Sequence, residues 1–347
     1  MADADRDQPS DTMRERAEES TWLLWVLLDA DRRFVAGLFS AGLFATLVVV
    51  GVLHPTPGQK LLTRGDPIET LYQALITGTI TGVTLVLTLS QLVLSQELGA
   101  VGDQRDRMAG AMTFRSDVAD AVGAAVSPAE PSAFLRSLVR ATKEHAQEVE
   151  AAVEADDLDQ NLTDLLSTYL DSVVGNADTV TDQLEGANFG EFDVVKAALN
   201  YNYSWKLYAG RRIRKEYAEE LSDEALDRLE TLVDTLELFG PAREHFKTLY
   251  FQWELSNLSR TLLYVAVPAL AVAISAQVFF DPRDFANLTF GVANSLWILA
   301  ITTTVSLLPF TLLLAYILRI VTITKRTLSI GPFILRETDR SVDVNWD

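Results

Sequence analysis

The sequence predicts an all-α membrane protein with four transmembrane helices and a helical cytoplasmic bundle inserted between the second and third spans. Two observations carry that prediction. Four stretches hold no Asp, Glu, Lys, Arg or His: 20 residues between Arg33 and His54, 27 between Glu69 and Glu97, 20 between Arg260 and Asp281, and 34 between Asp284 and Arg319. Between the second and third stretch the chain is polar, acidic and helix-periodic, with no alternating strand run. A helix rises about 1.5 Å per residue, so 20 uncharged residues cover roughly 30 Å, the thickness of a bilayer's hydrocarbon core.

The elements follow in order. Residues 1–20 are polar and read as a disordered tail. Residues 21–33 contain a short apolar run, Thr21 to Leu28, too short to span and ended by Asp29 and Asp31. Trp22 and Trp25 in it suit either an amphipathic helix lying in the membrane interface or a helix packed on the cytoplasmic bundle. The first two spans occupy residues 34–98. Phe34 to Leu53 lies too far into the chain for a signal peptide, so it stays in the mature protein. The turn that follows, His54 to Glu69, collects Pro55, Pro57, Gly58, Gly65 and Pro67.

Residues 99–259 read as a bundle of about five helices. Ser127-Pro128-Ala129-Glu130-Pro131 ends one helix and starts another, because proline suits a first turn and not an interior. Gly186 to Phe192 reads as a loop, and Ser222-Asp223-Glu224 as a helix start with acids in its first turn. Gly240-Pro241 reads as a break, after which a helix from Ala242 continues into the third span. The second span likewise continues past Glu97 and Gly99 without a proline stop. Residues 260–320 hold spans three and four, joined by a loop from Asp281 to Gly291, with a kink expected at Pro309. Asn287-Leu288-Thr289 in that loop matches a glycosylation sequon and reads as a chance match beside a membrane. Residues 321–347 form a cytoplasmic tail.

Lys and Arg set the orientation. Arg32, Arg33, Arg105, Arg107, Arg260, Arg319, Lys325 and Arg326 flank the spans on one side, against Lys60, Arg64 and Arg283 on the other. A multi-pass protein of the cell membrane is expected, with both termini and the bundle cytoplasmic.

The second span carries the pattern with most functional content. Thr77, Thr81, Thr84, Thr88, Gln91 and Ser95 follow steps of 4, 3, 4, 3 and 4. At 3.6 residues per turn they hold within an arc of about 80° down nearly the whole span. Gly78 and Gly82 beside them are spaced for close helix packing. The stripe is either a helix-packing seam, its hydroxyls bonded back to the preceding turn, or the lining of a water-filled path repeated around a homo-oligomer. The fourth span adds Asn294, Ser295, Thr302, Thr303, Thr304 and Ser306 in a looser pattern. The uncharged blocks lack the carboxylates and cations that coupled transporters and proton pumps use, which argues against active transport.

A second cluster breaks the acidic background. Tyr201, Tyr203, Trp205, Lys206, Tyr208, Arg211, Arg212, Arg214, Lys215 and Tyr217 place five cations and five aromatics in 17 positions. It suits either a small anion, nucleotide phosphate or lipid headgroup, or a buried helix pairing with acidic neighbours in its own bundle or another subunit; a cytoplasmic protein partner for the bundle is the other expectation.

Other classes are set aside. The chain of 347 residues has no cysteine and three histidines, so no disulfide, thiol chemistry or His/Cys metal centre is expected. No Walker loop, dinucleotide fingerprint, HExxH, GxSxG or kinase set occurs, so no enzyme and no cofactor are expected. A net charge of −19 argues against a nucleic-acid partner, and none is expected.

Lysine supplies 7 of the 29 basic residues, and with the acidic excess this resembles proteins of salt-accumulating haloarchaea. The run Ile76 to Met112 with Phe114-Arg115 is similar to uncharacterised haloarchaeal four-span membrane proteins, a resemblance covering most of the chain and bringing no activity with it. The layout alone, two spans, a helical insert and two more spans, is loosely similar to bestrophin-type anion channels. That likeness implies an oligomeric channel and identifies no residue, because the bestrophin aromatic neck and acidic calcium clasp have no counterpart in this sequence.

Overall fold

The computed structural model describes residues 22, 25–54, 62–63, 65–156, 158–187 and 192–326. The tail expected at residues 1–20 lies outside the described residues, as do most of the turn between the first two spans and residues 327–347. The described residues divide into two compact units, one within 25–98 and 252–323 and the other chiefly within 99–251.

The first unit holds the apolar helices. A single π-helical turn, Trp25–Asp29, precedes α1 (Arg32–Leu53). Asp31 caps α1, its carboxylate accepting from the Arg33 and Phe34 amides at 2.7 and 3.4 Å. Helix α2 (Pro67–Glu97) starts on a proline, whose missing N–H costs nothing in a first turn. With the later part of α8 (Asp223–Phe279) and α9 (Asn294–Arg326), these are four helices long and apolar enough to cross a bilayer. The chain is therefore an all-helical membrane protein with four candidate spans.

Small residues and hydroxyl pairs bring these helices together. On α1, a Cβ at Gly51 would sit 2.7 Å from the Leu296 side chain, so glycine lets α9 approach. Phe44 stacks on Trp297, and Ser40 Oγ meets Thr311 Oγ1 at 3.0 Å. Helix α2 packs through Ile68 and Tyr72 on Ala273 and Ala276 of α8. Further along, Val86 joins Leu258, Leu262, Leu312 and Ala315.

The second unit is built of α3 (Val101–Ala121), α4 (Pro131–Val153), α5 (Gln160–Leu184), α6 (Phe192–Leu199), α7 (Tyr203–Glu216) and the first part of α8. Glu130 caps α4 immediately before Pro131, accepting from the Ser132 and Ala133 amides at 3.0 and 2.7 Å. Asp159 caps α5, and Ser222 Oγ accepts from the Ala225 amide at 3.2 Å at the head of α8. The core joins Leu135, Leu138 and Val139 of α4, Leu166 and Tyr169 of α5, and Leu229, Leu232, Val233 and Leu236 of α8. Each buried leucine contributes about 1.5–3 kcal/mol.

Two continuity expectations resolve in opposite ways. Gly240-Pro241 does not break the chain: α8 runs 57 residues through it and through Pro268. An interior proline costs about 3 kcal/mol, and packing offsets it here. Phe239 and Ala242 are buried on either side, and a Cβ at Gly240 would meet the Tyr203 ring at 3.0–3.2 Å. The dipeptide serves a close ring contact. By contrast, α2 does not continue past Glu97: it ends there, Leu98 turns to extended backbone, and α3 starts afresh at Val101.

The loop between α8 and α9 also holds structure the sequence did not announce. Leu288 pairs with Ala293 and Thr289 with Val292, an antiparallel hairpin closed by Phe290 (φ +55°) and Gly291 (φ +77°). Two positive φ values make the turn that matches strand twist. At Phe290 a Cβ makes that conformation cost about 1–2 kcal/mol.

Two stability predictions follow from the second unit. A Cβ at Gly210 would lie 2.5 Å from the Tyr169 hydroxyl and 3.0 Å from Val233, so Gly210→Ala should destabilise the bundle by about 1–3 kcal/mol in denaturant melts. Burial pushes the Glu130 carboxyl up, but the Ser132 and Ala133 amides, the Ser132 hydroxyl and Arg136 outweigh it and hold its pKa below the usual range. A depressed carboxylate stabilises above its unfolded pKa and loses that contribution as pH falls through the folded value. Glu130→Ala should thus cost about 0.5–2 kcal/mol at neutral pH, and the difference from wild type should shrink in acid.

Candidate functional site

The polar stripe of α2 faces away from the apolar helices it packs against. Helix α2 buries one side, with Ile68, Tyr72, Val83 and Val86 packed and Ser90 bonded to Ser259 of α8. Thr77, Thr81, Thr84, Thr88, Gln91 and Ser95 are all exposed, and at 3.6 residues per turn they centre about 150° around the helix from that packed side. Gly78 and Gly82 have nothing within 4 Å of an added Cβ, so they admit no close neighbour inside this chain. The packing-seam reading therefore has no partner among the described residues. Only 6% of the apolar window of α2 is buried, against 39% in α9.

Three of the stripe's five hydroxyls bond back to their own helix, the feature that the packing-seam reading expects. Thr84 Oγ1 donates to the Ile80 carbonyl at 2.8 Å, Thr88 Oγ1 to Thr84 at 2.9 Å, and Ser95 Oγ to Leu92 at 2.7 Å. Their protons go to the backbone, which leaves oxygen lone pairs for whatever lies outside.

The fourth span's hydroxyls mostly turn inward. Thr302 bonds Tyr72 of α2 and donates to the Ile298 carbonyl at 2.6 Å. Ser306 Oγ donates to Thr302 at 2.7 Å. The buried hydroxyls of Ser295, Thr303 and Thr304 have no hydrogen-bond partner among the described residues. Pro309 lies inside α9.

The same unit holds a charged cluster outside the uncharged blocks. Arg32, Glu254 and Arg319 are each less than 9% exposed. Arg319 Nη1 lies 3.5 Å from Glu254 Oε1, and Arg319 Nη2 donates to the Ala30 carbonyl at 2.9 Å. Arg32 donates to that same carbonyl and to those of Leu27 and Val26, at 3.2 and 3.4 Å. The π-turn leaves these carbonyls without helical partners, and two guanidinium groups, which stay charged when buried, take them. Arg32 and Arg319 entered the orientation argument as flanking charges; in the fold they are internal. The signal for Glu254 was present: Phe251, Glu254, Leu255, Leu258 and Leu262 fall on one helical stripe.

The basic-aromatic cluster lies on and beside α7. Lys206 is wholly buried, with Nζ 3.4 Å from Ser172 Oγ and over the Tyr201 and Trp205 rings at 5.9 and 5.8 Å. Tyr169 donates to the Lys206 carbonyl at 3.1 Å, and burial together with Tyr201 pushes the Tyr169 phenol up. Arg211 pairs with Glu237, Arg212 with Glu216 at 2.9 Å and Arg214 with Glu230 at 2.7 Å. Lys215 is exposed. Asp234 stands among these charges; desolvation, Glu237 and Glu230 hold its pKa above the usual range against the pull of Arg214 and Arg211. Among the described residues no group of three or more His, Cys, Asp or Glu could hold a metal.

These features define a multi-span, all-helical membrane protein with one outward polar face and one internal charged lock. The chain belongs to a family of unknown function, DUF7972, whose model matches residues 1–347. No curated protein and no solved structure matches it.

Removing one member of a buried pair strands the other. Arg319→Met should lower the thermal midpoint in detergent, at a cost of about 3–5 kcal/mol. Arg33→Met, at an exposed arginine on the same side, should change it little. Equal effects would show that the lock contributes nothing specific.

Proposed function

We propose that the chain is the protomer of a homo-oligomeric, passive ion or small-solute channel of the cell membrane, with the second spans lining the path. The observation that carries this reading is the exposure of all six stripe residues on the side of α2 opposite its packed face. A row of hydroxyls and an amide facing lipid gains nothing, whereas repeated around a symmetry axis it wets a path. Because the Thr84, Thr88 and Ser95 protons go to backbone carbonyls, the lining offers acceptors and suits cations or neutral solutes better than anions. The bundle and both termini are cytoplasmic in this reading, on the strength of the arginines that flank the spans. The acidic, lysine-poor surface and the haloarchaeal resemblance fit work in molar salt.

A second reading is a membrane-anchored interaction module whose cytoplasmic bundle binds a protein partner. Residues 101–113 of α3 are exposed throughout, with Val101, Met108 and Met112 among them. That favours a docking role for the bundle.

The absence of cysteine makes the test direct. In the assembled protein, single cysteines at 81, 84 and 88 should react with a water-soluble thiol reagent, while cysteines at 85 and 86 should not. Liposomes holding the protein should pass potassium faster than chloride. If all five cysteines stay unreactive and flux is absent, the channel reading fails and the anchored module stands. A cysteine at 283 labelled from the cell exterior checks the orientation independently.

A further inference from the structure

The loop between α8 and α9 is short, and its place is fixed by what it joins. Helix α8 ends at Phe279 and α9 begins at Asn294, and both are long and apolar enough to cross a bilayer. The connection therefore lies at a membrane face. Its first half carries Asp281, Arg283 and Asp284 in a 3-10 turn capped by Asp281, whose carboxylate accepts from the Arg283 amide at 2.9 Å. Its second half, Ala286 to Ala293, has no charge. Within that half Phe290 is 94% exposed and Leu288 70%.

We infer that this hairpin is a lipid-contact wedge, with Leu288 and Phe290 seated in the headgroup and acyl boundary of the bilayer. Two further observations support it. Phe290 sits at positive φ in a turn where Asn, Asp or Gly is the usual occupant, so an aromatic ring is held at the tip against local backbone preference. The hairpin is also pinned to the helix it precedes. The Asn294 amide donates to the Asn287 carbonyl at 2.8 Å, and the Trp297 indole donates to the Thr289 carbonyl at 3.2 Å. The tip is thus held in place at the bilayer face, where aromatic side chains gain from seating among headgroups. Asn287, the sequon residue, lies at the base of this hairpin.

The test uses full-length protein carrying single cysteines in place of Leu288, Phe290 and Arg283, each labelled with an environment-sensitive fluorophore. The labelled proteins are placed in phosphatidylcholine–phosphatidylglycerol vesicles with plain or brominated acyl chains. Labels at 288 and 290 should emit to the blue of the label at 283 and be quenched about two-fold by bromine, while the label at 283 is unchanged. Labels at 288 and 290 that match 283 place the tip in water and overturn the inference. A blue shift without bromine quenching that disappears at one protomer per vesicle assigns the tip to a second copy and also overturns it. Leu288→Cys leaves the 290–291 turn intact, so the test survives if Phe290→Cys does not fold. Its outcome is independent of ion flux and of the stripe.

Discussion

A carbonyl or guanidinium buried away from water must find its partner inside the protein, and the unit that holds the apolar helices is organised around that constraint. Where the π-turn ends, the Val26, Leu27 and Ala30 carbonyls have no helical partners, and Arg32 and Arg319 supply donors from two different elements. Glu254 answers the Arg319 charge. The same rule acts on a smaller scale along the helices, where Ser40 meets Thr311, Tyr72 meets Thr302 and Ser90 meets Ser259. These contacts fix which faces of the spans are internal, and so decide that the Thr and Gln stripe of α2 is left outside.

The two charged features of the protein follow different physics. On α7, arginines meet carboxylates at the water surface, where single pairs are worth little and mainly order the helix against α8. Lys206 differs from its neighbours: it is enclosed among aromatic rings and a serine hydroxyl, and its ammonium forms part of the core. In the membrane unit Arg32 and Arg319 are internal and take up the Val26, Leu27 and Ala30 carbonyls, whereas Arg33 and Arg260 stay exposed. A count of positive residues treats all of these alike, although their surroundings set their roles.

Much of this was legible in the sequence because it rests on local chemistry. Four charge-free blocks give four long helices, since burial in lipid tolerates little else. Glu130-Pro131 and Ser222-Asp223 mark helix starts because capping needs only neighbouring residues. The stripe could be read from its spacing, but its outward direction could not, since that depends on Tyr72 and Val86 finding partners on other helices. Gly240-Pro241 misleads for the opposite reason: the local cost is real, and contacts far along the chain, such as Tyr203 against Gly240, override it. Arg319 bounds an uncharged block, so its charge placed it among the flanking residues, and Glu254 fell within the stretch read as bundle; packing had taken both in.

The lock at Ala30 also has a temporal side. Its carbonyl accepts from an arginine 289 residues further along the chain. At a synthesis rate of about 5–20 residues per second, the π-turn emerges on the order of 15–60 s before Arg319 exists. Until then the turn is held by its own Ala30-to-Trp25 backbone bond and by Arg32. The start of the membrane unit is thus completed by nearly its last residues, so insertion of the early spans and closure of their packing are separate events.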